Sequence, residues 1–175
     1  LQQKIRVRSH PVSRDRIRSL EEKVKKSEFI DNKDEDELIF KYKMIQAKLD
    51  GFLNNASDIV KKGKDNSDHS KYALAVGLYR QALLNDSLSV LDQLILKYPK
   101  NAWYYELKGQ ILYESGKIED SIKPYTIALE LKDKEPLLMV GLATALNARG
   151  NKGDAKKAIN LLKESLKYDK KNSQT

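Results

Sequence analysis

Two histidines, His10 and His69, are the only imidazoles in the chain, and 59 residues separate them. Zinc hydrolysis on a helix needs two histidines one turn apart to hold the metal and a glutamate beside them to activate water, and no H-E-x-x-H occurs here. Cysteine is absent, which removes thiolate nucleophiles, thiolate metal sites and disulfides. The acids at 34–37 and the pair Glu119–Asp120 are the densest carboxylates, yet each opens a helical segment, where negative charge complements the positive end of the helix dipole. His10, in a Ser-His-Pro turn, and His69, in a polar stretch, read as exposed turn residues. The sequence therefore assigns no catalytic residue, no metal ligand and no cofactor to this chain. Recognition is the chemistry left. Trp103, Glu106, Gln110 and Tyr113 fall at i, i+3, i+7 and i+10 and so share one helix face.

The elements that position that face are helical. Leu, Lys, Ala and Glu are abundant, with 4 prolines and 8 glycines in 175 residues, which favours helix over strand. Ile17, Leu20 and Val24 predict an amphipathic helix over 14–27. Leu38, Tyr42, Ile45, Leu49 and Phe52 form one stripe and predict a second over 36–54. Residues 61–70 are polar and read as a linker between a first region, 1–60, and a repeat region, 71–175.

From Lys71 the chain repeats. Aligned on Gly109 and Gly116, a unit of 34 residues runs from 102 to 135, its first helix carrying Tyr105, Gly109 and Leu112 and its second Ser121, Ile122, Tyr125, Ala128 and Leu129. One period earlier stand Ala75, Leu78, Ala82, Ser87, Leu91 and Ile95. One period later come Met139, Ala143, Leu146 and Gly150, then Ala158, Leu162 and Leu166 after a three-residue insertion in NKGDAKKA. Gly109, Ala75 and Ala143 mark where paired helices approach most closely. A mid-helix glycine costs about 1 kcal/mol relative to alanine, so Gly109 carries a packing reason. Over about 71–170 this spacing resembles the tetratricopeptide repeat family. The expected fold class is all-α: about three tetratricopeptide-type antiparallel helix pairs in an α-solenoid, the array truncated, preceded by amphipathic helices.

In such a stack Tyr72, Tyr79, Trp103 and Tyr113, with Glu106 and Gln110, line the concave groove, as does Thr144. Amphipathic aromatics and a few polar groups suit a peptide ligand, and these six residues are the candidate peptide-binding set. The alternative is that helix 36–54 fills the groove itself. A Lys/Asn clamp for a terminal carboxylate is missing, since the corresponding places hold Tyr72, Val76, Glu106 and Gln110.

Three blocks in order, SHPVSRDRI at 9–17, KYKMIQAKLDGFL at 41–53 and NAWYYELKGQILYESGKIEDSIKPYTIALEL from Asn101, resemble the carboxy-terminal half of bacterial periplasmic zinc metalloproteases of the beta-barrel assembly-enhancing family. The resemblance implies that residues 1–60 end a protease domain and its connecting helices, and that His10 lies near the metal of that domain. It implies a zinc metalloendopeptidase as the parent chain, with zinc as its cofactor, a periplasmic setting, and protein clients or outer-membrane assembly machinery as partners. Without H-E-x-x-H this stretch is not expected to be an enzyme. A freestanding cytoplasmic tetratricopeptide scaffold is the other reading.

The net charge of +8 raises nucleic acid as a partner. Residues 1–30 carry nine basic and four acidic groups and 136–175 eight against three, whereas 31–60 and 101–135 are net acidic. The positive charge sits at the two ends, mixed with acids, which reads as a solvated surface and not as a nucleic-acid footprint. No stretch of about 18 apolar residues exists, so no membrane insertion is expected.

Overall fold

The computed structural model describes residues 13–31, 34–62 and 66–169, so His10 lies outside the described residues. Among these there is no strand, and the helices are α1 (Ser13–Lys25), α2 (Asp36–Leu53), α3 (Ala56–Lys62), α4 (Asp68–Arg80), α5 (Leu84–Lys97), α6 (Ala102–Glu114), α7 (Ile118–Leu131), α8 (Pro136–Arg149) and α9 (Asp154–Tyr168). The chain divides into two compact units, 1–40 and 41–175. The first holds α1, an amphipathic helix with Ile17, Leu20 and Val24 exposed, and the first turn of α2. The second holds the rest of α2 and α3 to α9. There α4 pairs with α5, α6 with α7 and α8 with α9, and each pair touches the next, giving the expected all-α stack of antiparallel helix pairs.

Local chemistry starts and stops these helices where the repeat requires. Ser67 Oγ accepts from Ser70 N at the start of α4, Asn101 Oδ1 accepts from Trp103 N at the start of α6, and Pro136 occupies the first turn of α8. The turn inside each pair needs one left-handed residue at the same register position. Gly116 (φ +77°) and Gly150 (φ +72°) supply it without strain, whereas Ala82 (φ +60°) adopts it with a Cβ.

Between the pairs the core is close-packed. Leu91, Leu94, Tyr104, Leu107 and Ile111 form one buried cluster, and Tyr125, Leu142, Ala145 and Leu146 form another. The Tyr125 ring is wedged between two helices through their glycines. A Cβ on Gly109 of α6 would stand 2.8 Å from the ring, and one on Gly141 of α8 would stand 2.7 Å from it. Gly109 thus marks the close approach within its pair that the spacing predicts. Ala75 and Ala143, its counterparts, are buried too, and Ala75 O accepts from the buried Ser87 Oγ at 2.6 Å.

The three-residue insertion is spread over one connection. α8 runs one residue further than α6, the turn at 150–153 is one residue longer than that at 115–117, and α9 begins one residue sooner relative to its buried positions. Ala158 and Ser165 then sit buried where Ser121 and Ala128 do, which is the register with the insertion. The turn is locked by Asp154, whose carboxylate takes Arg149 Nε at 2.8 Å, Arg149 Nη2 at 2.9 Å and Asn151 N at 3.0 Å.

Three expectations differ from the structure. His69 is not an exposed turn residue but stands half-buried in the first turn of α4, its Nε2 3.1 Å from Ser67 Oγ. The polar linker is shorter than 61–70, because α3 extends to Lys62 and α4 begins at Asp68, capped by Ser67. And α2 turns inward a face that shares only Phe52 with its large-residue stripe. Tyr42, Ile45 and Leu49 are exposed, while Met44, Ala47, Gly51 and Phe52 pack into the second unit. Small residues win that contact because they let two helix backbones approach: the Cβ that Gly51 lacks would lie 2.7 Å from Val76 Cβ.

Candidate functional site

The equivalent faces of α4, α6 and α8 carry the candidate binding residues, and α2 decides which of them a ligand can reach. Its second half lies across α4 and α6. Near its end, Gly51 meets Val76, and Arg80 Nη1 donates to the carbonyls of Gly51 and Asn54 at 2.8 and 2.5 Å. One turn earlier Lys48 Nζ reaches Glu106 Oε2 at 3.0 Å and stands 6.0 Å from the Trp103 ring centroid. One turn before that, the Tyr104 hydroxyl contacts Met44 Sδ at 3.8 Å.

Tyr72 is consequently core, 2% exposed, with its ring 5.6 Å from that of Tyr104. Burial pushes the hydroxyl pKa of Tyr72 well above the ordinary tyrosine value, and burial does the same to Tyr104 and Tyr125. Glu106 is 7% exposed and holds Lys48, so its carboxylate is committed within the chain. These two of the six candidate residues are covered by the protein itself. The helix-filled groove is what the structure shows at α4 and at the centre of α6.

The other four are half-buried. The Tyr79 hydroxyl donates to Glu114, which also accepts from Gln110 Nε2 at 2.8 Å, so Tyr79, Gln110 and Glu114 form one polar network across α4 and α6. Burial and the Glu114 carboxylate push the Tyr79 pKa up to about 12. A shallow depression of about 700 Å³ lies beside this network, lined by Phe52, Tyr79, Arg80 and Glu114 among others. Tyr113 packs against the cluster around Tyr125. Trp103 packs on Ala102, Ala128 and Leu138, with Lys132 Nζ 5.2 Å from its ring centroid.

On α8 the pattern changes. Leu137, Val140 and Thr144 stand one unit after Trp103, Glu106 and Gln110, and all three are exposed, Leu137 by 53% and Val140 by 41%. Thr144 turns its hydroxyl back onto the Val140 carbonyl at 2.8 Å, leaving its methyl outward. The spacing of apolar residues alone picks out neither Lys48 nor these two aliphatics. Ala47 and Gly51, small residues one turn apart on α2, are the sequence signal that this helix presses against a neighbour.

The exposed part of the groove is thus an apolar strip on α8, bordered by an indole under two lysines and by an amide–carboxylate–phenol network. It offers area for apolar side chains and polar groups that can meet a peptide backbone. Among the described residues no three His, Asp or Glu side chains gather as a metal site, and no helix is long and apolar enough to cross a membrane. No protein-family model matches the chain, and comparison with curated proteins gives no match.

Proposed function

We propose that the protein is a protein–protein interaction module of tetratricopeptide type whose groove takes apolar segments of other polypeptides along α8. The observation that carries this reading is the contrast between equivalent positions. Tyr72 and Glu106 are buried under α2, whereas Val140 at the same register position is open beside Leu137 and Trp103. The chain's own α2 serves as an internal example of a ligand, an amphipathic helix laid across the first helices of successive pairs.

The resemblance noted above favours reading this module as the repeat arm of a periplasmic zinc metallopeptidase acting in outer-membrane protein assembly or quality control. The exposed apolar stripe of α1 supports a neighbouring domain at that end. A reading frame upstream of Leu1 that encodes H-E-x-x-H and a secretory signal is the expected finding. One without them leaves a freestanding scaffold.

The groove itself is tested with Trp103, the single tryptophan, as reporter. Titrating an unfolded outer-membrane barrel protein into the chain should shift the Trp103 emission. Val140→Asp and Leu137→Asp, both at exposed positions, should abolish the shift without changing helicity. Binding that survives both substitutions places the partner site elsewhere.

A further inference from the structure

Helix α6 carries two carboxylates, and the chain gives a cation to only one of them. Glu106 takes Lys48 of α2 at 3.0 Å, with the lysine 6.0 Å from the Trp103 ring centroid. Glu114 is exposed and accepts only from uncharged donors, the Tyr79 hydroxyl and Gln110 Nε2, and no cation among the described residues pairs with it. It is the last residue of α6, where a negative charge opposes the helix dipole, so the charge does nothing for α6 itself. Together with Phe52, Tyr79 and Leu84 it lines a depression. Arg80, at the same register position on α4, lines that depression too, but its Nη1 is taken by the carbonyls of Gly51 and Asn54. An oriented carboxylate beside aromatic residues is the setting in which Glu106 and Trp103 hold Lys48, and at Glu114 it stands unmatched, ready for a Lys or Arg side chain.

We propose that Glu114 anchors a basic residue of the partner that lies along α8, an inference that rests on the groove reading and adds the partner's charge to it. That partner is an amphipathic helix running in the direction of α2, apolar at i, i+3 and i+7 over Leu137, Val140 and the Thr144 methyl, with Lys or Arg at i+11. The direction follows α2, whose Met44 stands by Tyr104 near the start of α6 and whose Gly51 and Asn54 carbonyls stand by Arg80 at the end of α4. The spacing follows the register. Leu137 is level with Trp103, and Glu114 lies 11 residues, about 16 Å, further along α6. A basic residue in the last turn of such a helix also complements its own dipole. Stacking leaves this face open, because α8 and α9 follow α6 and still leave Gln110 half-buried and Glu114 exposed.

The probe is a fluorescein-labelled synthetic helix, stapled on its solvent face, with leucine at i, i+3 and i+7 and lysine at i+11, and its control carries glutamate at i+11. Fluorescence anisotropy against the full chain should show the Lys peptide binding about five- to tenfold tighter than the Glu peptide, the effect of exchanging a repulsive for an attractive exposed pair. Glu114→Gln should erase the preference and Glu114→Lys should reverse it, with circular dichroism unchanged in both, since Glu114 is exposed. Val140→Asp should remove binding of both peptides. Equal binding of the two, a preference for the Glu peptide, or a preference that survives Glu114→Gln overturns the role of Glu114 and leaves the groove reading standing. Failure of both peptides to bind, or binding that survives Val140→Asp, overturns the proposal and the groove reading together.

Discussion

Placing a methyl group at residue 109 or 141 tests the packing on which the whole stack depends. At Gly109 the added Cβ meets three atoms of the Tyr125 ring at 2.8–2.9 Å, and at Gly141 it meets the other end of the same ring at 2.7 Å. Carbon atoms at rest sit about 3.5 Å apart, so the ring must withdraw by roughly 0.7 Å for Gly109 and roughly 0.8 Å for Gly141. Overpacking of this kind costs about 1–3 kcal/mol, and the gain in helix propensity on replacing glycine by alanine returns about 1 kcal/mol. Each single variant, Gly109→Ala or Gly141→Ala, should therefore lose about 0–2 kcal/mol.

The double variant separates this account from a generic one. With both sides of the ring occupied there is no free direction for it to move, so the pair should be worse than the sum of the singles by about 1 kcal/mol or more. Tyr125→Leu, which installs the residue found at the same register position in α5 and α9, removes the far ring atoms. In that background Gly109→Ala should become neutral or stabilising. Urea unfolding followed by far-ultraviolet circular dichroism, compared at equal m, measures each corner of the cycle. If Gly109→Ala stabilises the wild-type chain by the full propensity gain, or Tyr125→Leu leaves its cost unchanged, the ring is not wedged and the repeat register is wrong.

Ala82→Gly should raise the melting temperature, because relief of about 1–2 kcal/mol of left-handed strain exceeds the added freedom of glycine in the unfolded chain, about 0.4–1 kcal/mol. The reciprocal Gly116→Ala should lower it. The Arg149 pair holds the Asp154 carboxyl below its ordinary value, and for Asp68 the hydrogen bonds from Lys97 and Tyr98 outweigh a burial effect of the opposite sign. A folded pKa below the unfolded one gives stability that is present above the ordinary carboxylate value and lost as pH falls through the folded one. Asp154→Asn should lower the melting temperature at neutral pH and shrink its fall between about pH 5 and 2, read by thermal melts across that range. For the tyrosines the sign is opposite: Tyr79, pushed up to about 12, keeps its proton after the unfolded chain has lost it, so stability should decline as pH rises above about 10. Tyr79→Phe should flatten that decline in alkaline melts.

The helix pairs were legible because their periodicity is local and redundant. Gly116 and Gly150 mark the turn position in successive units, Gly109 and its counterparts Ala75 and Ala143 mark the close approach, and the buried Ala158 and Ser165 confirm the register that the insertion implied. What the sequence hid is non-local. Apolar spacing on α2 forecasts a helix, but which face turns inward depends on what the neighbouring helix offers, and the close approach of Gly51 to Val76 outweighs the larger area of Tyr42, Ile45 and Leu49. The strained turn at Ala82 was invisible because alanine is also a good helix former. Among the binding candidates, residue type and helix face were readable, whereas accessibility was not. Tyr72 and Val140 share a register position, and only the placement of α2 makes one core and the other surface.

The seating of α2 therefore decides how the groove functions, and Lys48 is the residue that tests it. The Glu106 side chain is 9% exposed and its ion-pair partner is Lys48, whose own side chain is 32% exposed. Lys48→Ala leaves a nearly buried carboxylate without that partner, which should cost about 1–3 kcal/mol, well beyond what a surface lysine normally contributes. Lys48→Met with Glu106→Leu replaces the pair by apolar groups of similar size and should recover most of the loss, because the penalty lies in the unmatched charge and not in the absent bridge. Trp103 gives a second, independent readout, since Lys48 stands over its ring, so its emission should change in Lys48→Ala and in the double variant alike. Stability that falls in the single variant, returns in the double and is accompanied by an altered Trp103 signal in both places α2 across α6. If Lys48→Ala alters neither the unfolding midpoint nor the Trp103 emission, α2 does not occupy this part of the groove, and Glu106 and Tyr72 rejoin the surface available to a partner.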